Sequence, residues 1–328
     1  VRKHRLTFWL VLIIAAVGIY TLFNFRLFSG AHQEERNVTV ILKTLNVRLD
    51  FWQAVSQGAE AAAKEMGIRL SVDGPLSEDD AEGQLRLLEE AIERKPQAIV
   101  IAPIADKRMP EAFAKAREAG IQLVIINDSP DAASAPVIVT TDHGKAGRLA
   151  GEAAIEATEG HPLIAVIGDE ESSAVSEERL KGLRHALADY PKSVVGTYYA
   201  DNAEDRAYAI VMELLRRGEP INAIIALNEP ASQGAAAVLK ELNKAMEIKL
   251  IGFDSTSDEV QLLESGTMTA SIVQKPFNMG YLGVKIAQKL MTSGKAEPVT
   301  YIDSNVITKE NMYTTENQKL LFPFINSK

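Results

Sequence analysis

From residue 37 onward, short runs rich in β-branched and aliphatic residues alternate with longer stretches of helical spacing, and this alternation constrains the fold more than any other feature of the chain. Candidate strands lie at 38–42, 68–72, 98–102, 123–126, 163–167, 194–198, 223–227 and 249–253. Most are apolar at every position, as strands covered on both faces are. Between them, 53–66, 78–94, 107–119, 147–158, 176–189, 203–217 and 232–244 repeat apolar residues at helical intervals. Gly67, Gly120 and Gly218 stand just past three of these helices, where left-handed backbone closes a helix. Such βαβ units wind by right-handed crossovers into open parallel sheets. A length of 328 residues allows two domains.

Open parallel sheets bind ligands in the crevice beyond the carboxyl ends of their strands. The residues that follow the candidate strands are Lys43, Pro103, Asn127, Asp128, Asp142, Gly168, Asp169, Asn228, Glu229, Asp254 and Gln274. They are polar far more often than the strands they follow. Any one of them is accounted for as a turn or helix-cap residue; the set argues for a polar gap.

The signatures of catalysis are missing. No G-x-x-x-x-G-K-[ST] phosphate loop, G-x-G-x-x-G after a strand, G-x-S-x-G elbow or H-E-x-x-H occurs. Cysteine is absent, so thiolate chemistry, disulfides and a lipid-attachment cysteine are excluded. His4, His32, His143, His161 and His185 are scattered without metal-ligand spacing, which gives them surface or turn roles. Glu170/Glu171 and Glu177/Glu178 read as solvated charge, and Glu78, Asp79, Asp80 and Glu82 as an acidic first helical turn capped by Ser77. A net charge of −9 and a pI near 5.3 argue against nucleic acid. The expectation is a protein that is not an enzyme and carries no cofactor and no metal.

Arg2, Lys3 and Arg5 precede an uncharged run over 6–25. A bilayer core of about 30 Å needs roughly twenty helical residues, and the basic cluster stays on the cytoplasmic side. Residues 1–30 are expected to be a membrane anchor, or else a cleaved signal segment with Ser29-Gly30-Ala31 as its cleavage pattern, and 31–36 a solvated linker. The rest then lies outside the cytoplasm, periplasmic or at the cell surface.

An ordered series of fragments carries a more specific resemblance: Lys43-Thr44-Leu45 before Asp50-Phe51-Trp52, then Gly58-Ala59-Glu60, a run from Lys95 to Pro103, Ala119-Gly120-Ile121, Thr141-Asp142, Asn228-Glu229-Pro230, Gly252-Phe253-Asp254-Ser255 and Gln274-Lys275-Pro276-Phe277. From Asn37 to about Asn311 the chain resembles the ribose- and galactose-type solute-binding proteins of bacterial ABC importers, which share their fold with LacI-type repressors. The resemblance implies an α/β, type I periplasmic-binding fold: two doubly wound parallel-sheet lobes joined by a three-strand hinge, with the solute held between them. The crossings are expected near 140–142, 272–275 and 302–304, with lobe 1 at 37–140 plus 276–302, lobe 2 at 141–275 plus 303–317, and a tail at 318–328.

Carried over by position, the implied ligand-binding set is Lys43, Asp50, Phe51, Trp52, Asp128, Asp142, Arg179, Asn228, Asp254 and Gln274. Phe51 and Trp52 look like the aromatic pair that packs on a sugar ring, whose axial C–H face an aromatic plane buries. The carboxylates and amides match positions that take hydroxyls at fixed angles. Glu177 stands where ribose binders carry an arginine, and Arg179 where other members do; Ser129 replaces an arginine that follows the aspartate in ribose binders. Arg48, in a loop before Phe51, could supply a cation or be solvated. The implied partners are a small sugar or polyol and an ABC permease, or alternatively a histidine-kinase sensor that reads lobe closure; the soluble part is expected to be monomeric.

Overall fold

The computed structural model describes residues 36–46, 50–127, 137–171 and 173–322 and the isolated positions 17 and 20. The expected anchor over 6–25 apart from positions 17 and 20, the expected linker apart from Arg36, and Arg48, Asp128 and Ser129 fall outside the described residues. Among the described residues no helix is long and apolar enough to cross a membrane.

The chain builds one sheet from β1 (Asn37–Ile41), β2 (Arg69–Asp73), β3 (Ala98–Ile101), β4 (Gln122–Ile126) and β5 (Ile138–Thr141), alternating with α1 (Asp50–Met66), α2 (Ala81–Arg94) and α3 (Met109–Glu118). It then crosses into α4 (His143–Ala157) and builds a second sheet from β6 (Ile164–Gly168), β7 (Val194–Tyr199), β8 (Ala223–Ala226), β9 (Lys249–Phe253) and β10 (Ala270–Val273). These alternate with α5 (Ala174–Ala186), α6 (Glu204–Arg216), α7 (Glu229–Glu241) and α8 (Ser257–Ser265). From β10 it returns as α9 (Pro276–Ser293) and β11 (Val299–Ile302) and passes over once more into β12 (Asn305–Thr308) and α10 (Thr315–Leu321).

The strand orders are β2-β1-β3-β4-β5-β11 and β7-β6-β8-β9-β10-β12. Both sheets are parallel except where β12 pairs antiparallel with β10. Each sheet is covered on both faces by apolar clusters: α1 with α9, and α2 with α3, on one; α4 with α5, and α6 through α8, on the other. All four residues of β3 and of β8 are fully inaccessible, which is why these strands read as unbroken apolar runs. The edge strand β7 is half-buried throughout.

The two halves follow one plan. Each sheet sends its fifth strand into a helix that packs in the other half: α4 beside α5, and α9 beside α1. The same device closes both pairs. A Cβ on Gly58 would sit 1.9 Å from the carbonyl oxygen of Phe277, and one on Gly280 1.9 Å from that of Val55. In the other half, a Cβ on Gly147 would meet the carbonyl of Arg179 at 1.9 Å and one on Gly182 that of Gly144 at 1.8 Å. Backbone approach this close leaves no room for any side chain.

Two local expectations are corrected. The acidic run does not open a helix at Ser77: α2 starts at Ala81, and the Asp80 carboxylate caps it by accepting from the Gly83 N–H. Glu78 and Asp79 are thereby left in the loop, with Glu78 free to be used elsewhere. His143, expected at a surface or turn, is 6% exposed in the first turn of α4, because α4 is the crossing helix and packs against α5 and the second sheet. The left-handed backbone at Gly67, Gly120 and Gly218 is present, with φ of 62°, 78° and 68°.

Candidate ligand site

The fourth strand of each sheet ends in the same way. Asn127 after β4 and Asp254 after β9 adopt left-handed backbone, with φ of 71° and 77°, a conformation that Asn and Asp tolerate better than other side chains. A hydroxyl from the neighbouring fifth strand holds each: Thr140 Oγ1 donates to the Asn127 carbonyl at 2.5 Å and Ser271 Oγ to the Asp254 carbonyl at 2.6 Å. Held non-glycine residues in this region cluster at ligand sites.

At the Asp254 end, a short chain of hydrogen bonds joins two of the passages between the halves. Gln274, just after β10, donates from Nε2 to Asp254 Oδ1 at 2.6 Å and accepts at Oε1 from Thr141 Oγ1 at 2.9 Å. Thr141 ends β5, so the chain touches both outgoing crossings and the end of β9. The third passage is tied at the surface by Lys145 Nζ on α4 to Asp303 at 2.7 Å.

Other expected residues act first as structural anchors. Asn228 caps α7 by accepting from the Ala231 N–H at 3.1 Å and donates from Nδ2 to Asn202 at 2.8 Å. Asp142 caps α4 by accepting from the Lys145 N–H at 2.8 Å. Arg179 is 4% exposed; its guanidinium lies 4.2 Å from the Phe253 ring centroid and donates to the Leu227 carbonyl, fixing the backbone that presents Asn228 and bracing the strand that ends at Asp254. Together Asp254, Gln274, Asn228 and Arg179 gather at the carboxyl ends of β8, β9 and β10.

On the facing half, Phe51 and Trp52 make an edge-to-face pair with centroids 5.0 Å apart. Trp52 belongs to the core and donates from its indole nitrogen to Glu78, whereas Phe51 keeps accessible surface. Lys43 follows β1 and is half-buried. The side chains of Asp50 and Asp128 lie outside the described residues. Beneath these loops Gln84, wholly inaccessible, donates to the carbonyls of Leu42 and Ala102 and accepts from the Ile104 N–H at 2.7 Å, locking the ends of β1 and β3. It sits within an apolar stripe with Leu85, Leu88 and Ala91, and a glutamine in such a stripe is the one sequence sign of its role.

Three ionisable groups take surroundings that the sequence does not announce: Glu229 reads only as a strand-end residue, His143 only as a surface or turn residue, and Glu259 is not marked at all. Glu229, in the first turn of α7, has its carboxyl pushed up to about 7, first by burial and then by Asp254, with Asp258 and Glu78 adding to it. Glu259 on α8 is wholly buried, and burial, then Asp254 and Glu229, hold it well above the usual carboxylate range. Its Oε2 completes a capping box with Thr256, while Oε1 has no hydrogen-bond partner among the described residues. His143 is drawn down to about 3 by burial and by Arg179, and is therefore neutral. Among the described residues no group of three or more His, Asp or Glu side chains is arranged to hold a metal ion.

Two α/β sheets of one plan, joined by three passages of chain with polar groups collected at facing strand ends, define a two-lobed binding protein of the type I periplasmic-binding fold. A family profile described as a periplasmic binding protein domain matches residues 38–296. The chain belongs to that family, whose members bind solutes for transport and are not enzymes. It is 27% identical over 286 residues to the D-allose-binding periplasmic protein of Escherichia coli K12, covering 82% of this chain and 91% of that one. A solved ABC transporter solute-binding protein from Agrobacterium vitis with bound D-fucose superposes with a TM-score of 0.75 at 30% identity, over 87% of this chain and 100% of the other. A carbohydrate-transporter solute-binding protein from Agrobacterium radiobacter in complex with D-arabinose gives 0.76 at 27% identity, over 88% and 99%.

Proposed function

We propose that this protein captures a small sugar or polyol between its lobes, outside the cytoplasm, and delivers it to an ABC permease. The observation that carries the reading is the Thr141–Gln274–Asp254 chain, which links candidate ligand groups directly to two crossings between the lobes. Solute bound to one lobe favours the closed form because the second lobe adds contacts only when shut. Asp254, Asn228 and Gln274 take hydroxyls from one side, with Asp50 and Asp128 taking others. Phe51 lies under the apolar face of the ring, and Trp52 holds Phe51 and Glu78 in place. Left without hydroxyl partners, these buried polar groups penalise ligands of the wrong stereochemistry.

The lobes divide at 140–142, 272–275 and 302–304, and the uncharged run over 6–25 tethers the monomeric receptor to the membrane. Relatives named for allose, and solved relatives holding fucose and arabinose, support a monosaccharide. Calorimetric titration of monosaccharides and polyols tests the reading. One of them should bind stoichiometrically without being consumed, and Asp254→Ala should abolish the heat. A panel without a binder, or turnover of the bound sugar, would refute it.

A further inference from the structure

The chain leaves β7 through a turn that its residues make costly. Asp201 and Asn202 both adopt left-handed backbone, with φ of 47° and 55°, and the Ala203 N–H closes the turn on the Ala200 carbonyl at 2.9 Å. Two positive φ values in succession mark a type I′ turn, whose second central position is least strained as glycine. Asparagine stands there instead. Strain of this kind persists only where the surroundings hold it, and it clusters at binding sites.

The surroundings do hold it. The Asp201 N–H donates to the Asp169 carbonyl after β6 at 2.6 Å, and the Asp169 carboxylate accepts from Ser173 Oγ at 2.8 Å and from Ser176 Oγ at the start of α5. Arg206 on α6 pairs with the Asp201 carboxylate, and Asn202 Nδ2 donates to Glu170 Oε1 at 3.4 Å. The other end of the Asn202 amide reaches the end of β8: its Oδ1 accepts from Asn228 Nδ2 at 2.8 Å. A glycine at 202 would relieve the backbone and forfeit that contact.

Asn228 is thereby gripped at both ends of its amide. Its Oδ1 accepts from the Ala231 N–H at 3.1 Å and one Nδ2 proton goes to Asn202, so the amide orientation is fixed and a single N–H is left to give. We infer that Asn202 is a positioning residue for solute binding, holding the Asn228 amide so that its remaining N–H donates to an oxygen of the solute. This rests on the sugar-binding reading, with Asn228 as a ligand group, and gives that contact a polarity. The solute oxygen at Asn228 accepts, whereas the one at the Asp254 carboxylate donates. Gln274 is committed in the same pattern, by Nε2 to Asp254 and by Oε1 from Thr141, and also keeps one N–H.

The test is a double-mutant cycle read by calorimetric titration of the full chain with D-ribose, D-allose, D-arabinose and D-fucose. Asn202→Gly, at an exposed position, keeps the left-handed turn and removes the amide; Asn228→Ser keeps a cap for α7 and removes the Nδ2 donor. For the sugar that binds most tightly, Asn202→Gly should weaken binding about three- to tenfold in the wild-type chain. In the Asn228→Ser background the same substitution should change affinity by less than about twofold, because its effect runs through Asn228. An unchanged affinity in Asn202→Gly, or an equal loss in both backgrounds, would overturn the positioning role while leaving sugar binding intact. A wild-type chain that binds none of the four sugars would overturn it too, and would count against the sugar reading with it.

Discussion

Asp254 does two jobs that substitution can separate. Its backbone is left-handed and its side chain accepts from Gln274. Asp254→Asn keeps the conformation and the size but loses the charge-assisted bond, and Asp254→Gly keeps only the conformation. Both should stay folded, and sugar affinity should fall more for Gly than for Asn, by about one to three kcal/mol per lost contact. Calorimetry of the pair checks the order. Glu229 makes a pH prediction whose sign is definite. A carboxyl raised from 4.5 to about 7 binds more protons in the folded state, so its stabilising contribution is complete below about 4.5 and is lost as pH rises through about 7. His143 runs the other way: drawn from 6.5 to about 3, it contributes above 6.5 and loses that contribution as pH falls towards 3. Because the two oppose, the wild-type melting curve alone does not isolate either. The difference in Tm between wild type and Glu229→Gln does: the variant should gain on the wild type between about pH 5 and about pH 8. A constant difference across that range would show that Glu229 does not titrate there.

The close helix crossings and the buried glutamine test how the elements are held. Gly280→Val would drive a side chain into the Val55 carbonyl and separate α9 from α1, which should cost more than about 3 kcal/mol or prevent folding. Gln84→Leu has nearly the same volume but strands the carbonyls of Leu42 and Ala102 and the Ile104 N–H, and urea unfolding should show a loss of at least about 2 kcal/mol. At this level the sequence was readable where periodicity was strong. The eight candidate runs from 38–42 to 249–253 all correspond to strands; the inner ones, such as β3 and β8, were plainest because strands covered on both faces must be apolar throughout. The short pieces β5, β10, β11 and β12 did not stand out, nor did α8, α9 and α10. Their boundaries depend on partners distant in sequence, such as Val299 pairing beside Ile138. The same divide runs through the site. Asp254 and Asn228 were visible as polar residues ending apolar strands, and Gln274 through the fragment Gln274-Lys275-Pro276-Phe277. Glu259 was not, since a carboxylate on an amphipathic helix carries no mark of its surroundings until the elements are packed.

The molecule as a whole is two copies of one topological idea that exchange a helix, and the proposed function requires relative motion of those copies. Because each half keeps a core on both faces of its own sheet, closure can proceed by change at three short passages without disturbing either core. Of the residues proposed to sense the solute, Gln274 is bonded both to Asp254 and to Thr141 in one of those passages, so in the proposed mechanism side chains would couple ligand contact to hinge geometry. The absence of native cysteine makes the motion directly measurable. Spin labels at Asp79→Cys, on the loop before α2, and Glu204→Cys, at the start of α6, sit on exposed positions of opposite halves. With a sugar shown by calorimetry to bind, the distance distribution between the labels should narrow and move to shorter values, and Asp254→Ala should leave it at the ligand-free distribution. A distribution that stays unchanged while the sugar is bound would contradict capture by closure of two lobes.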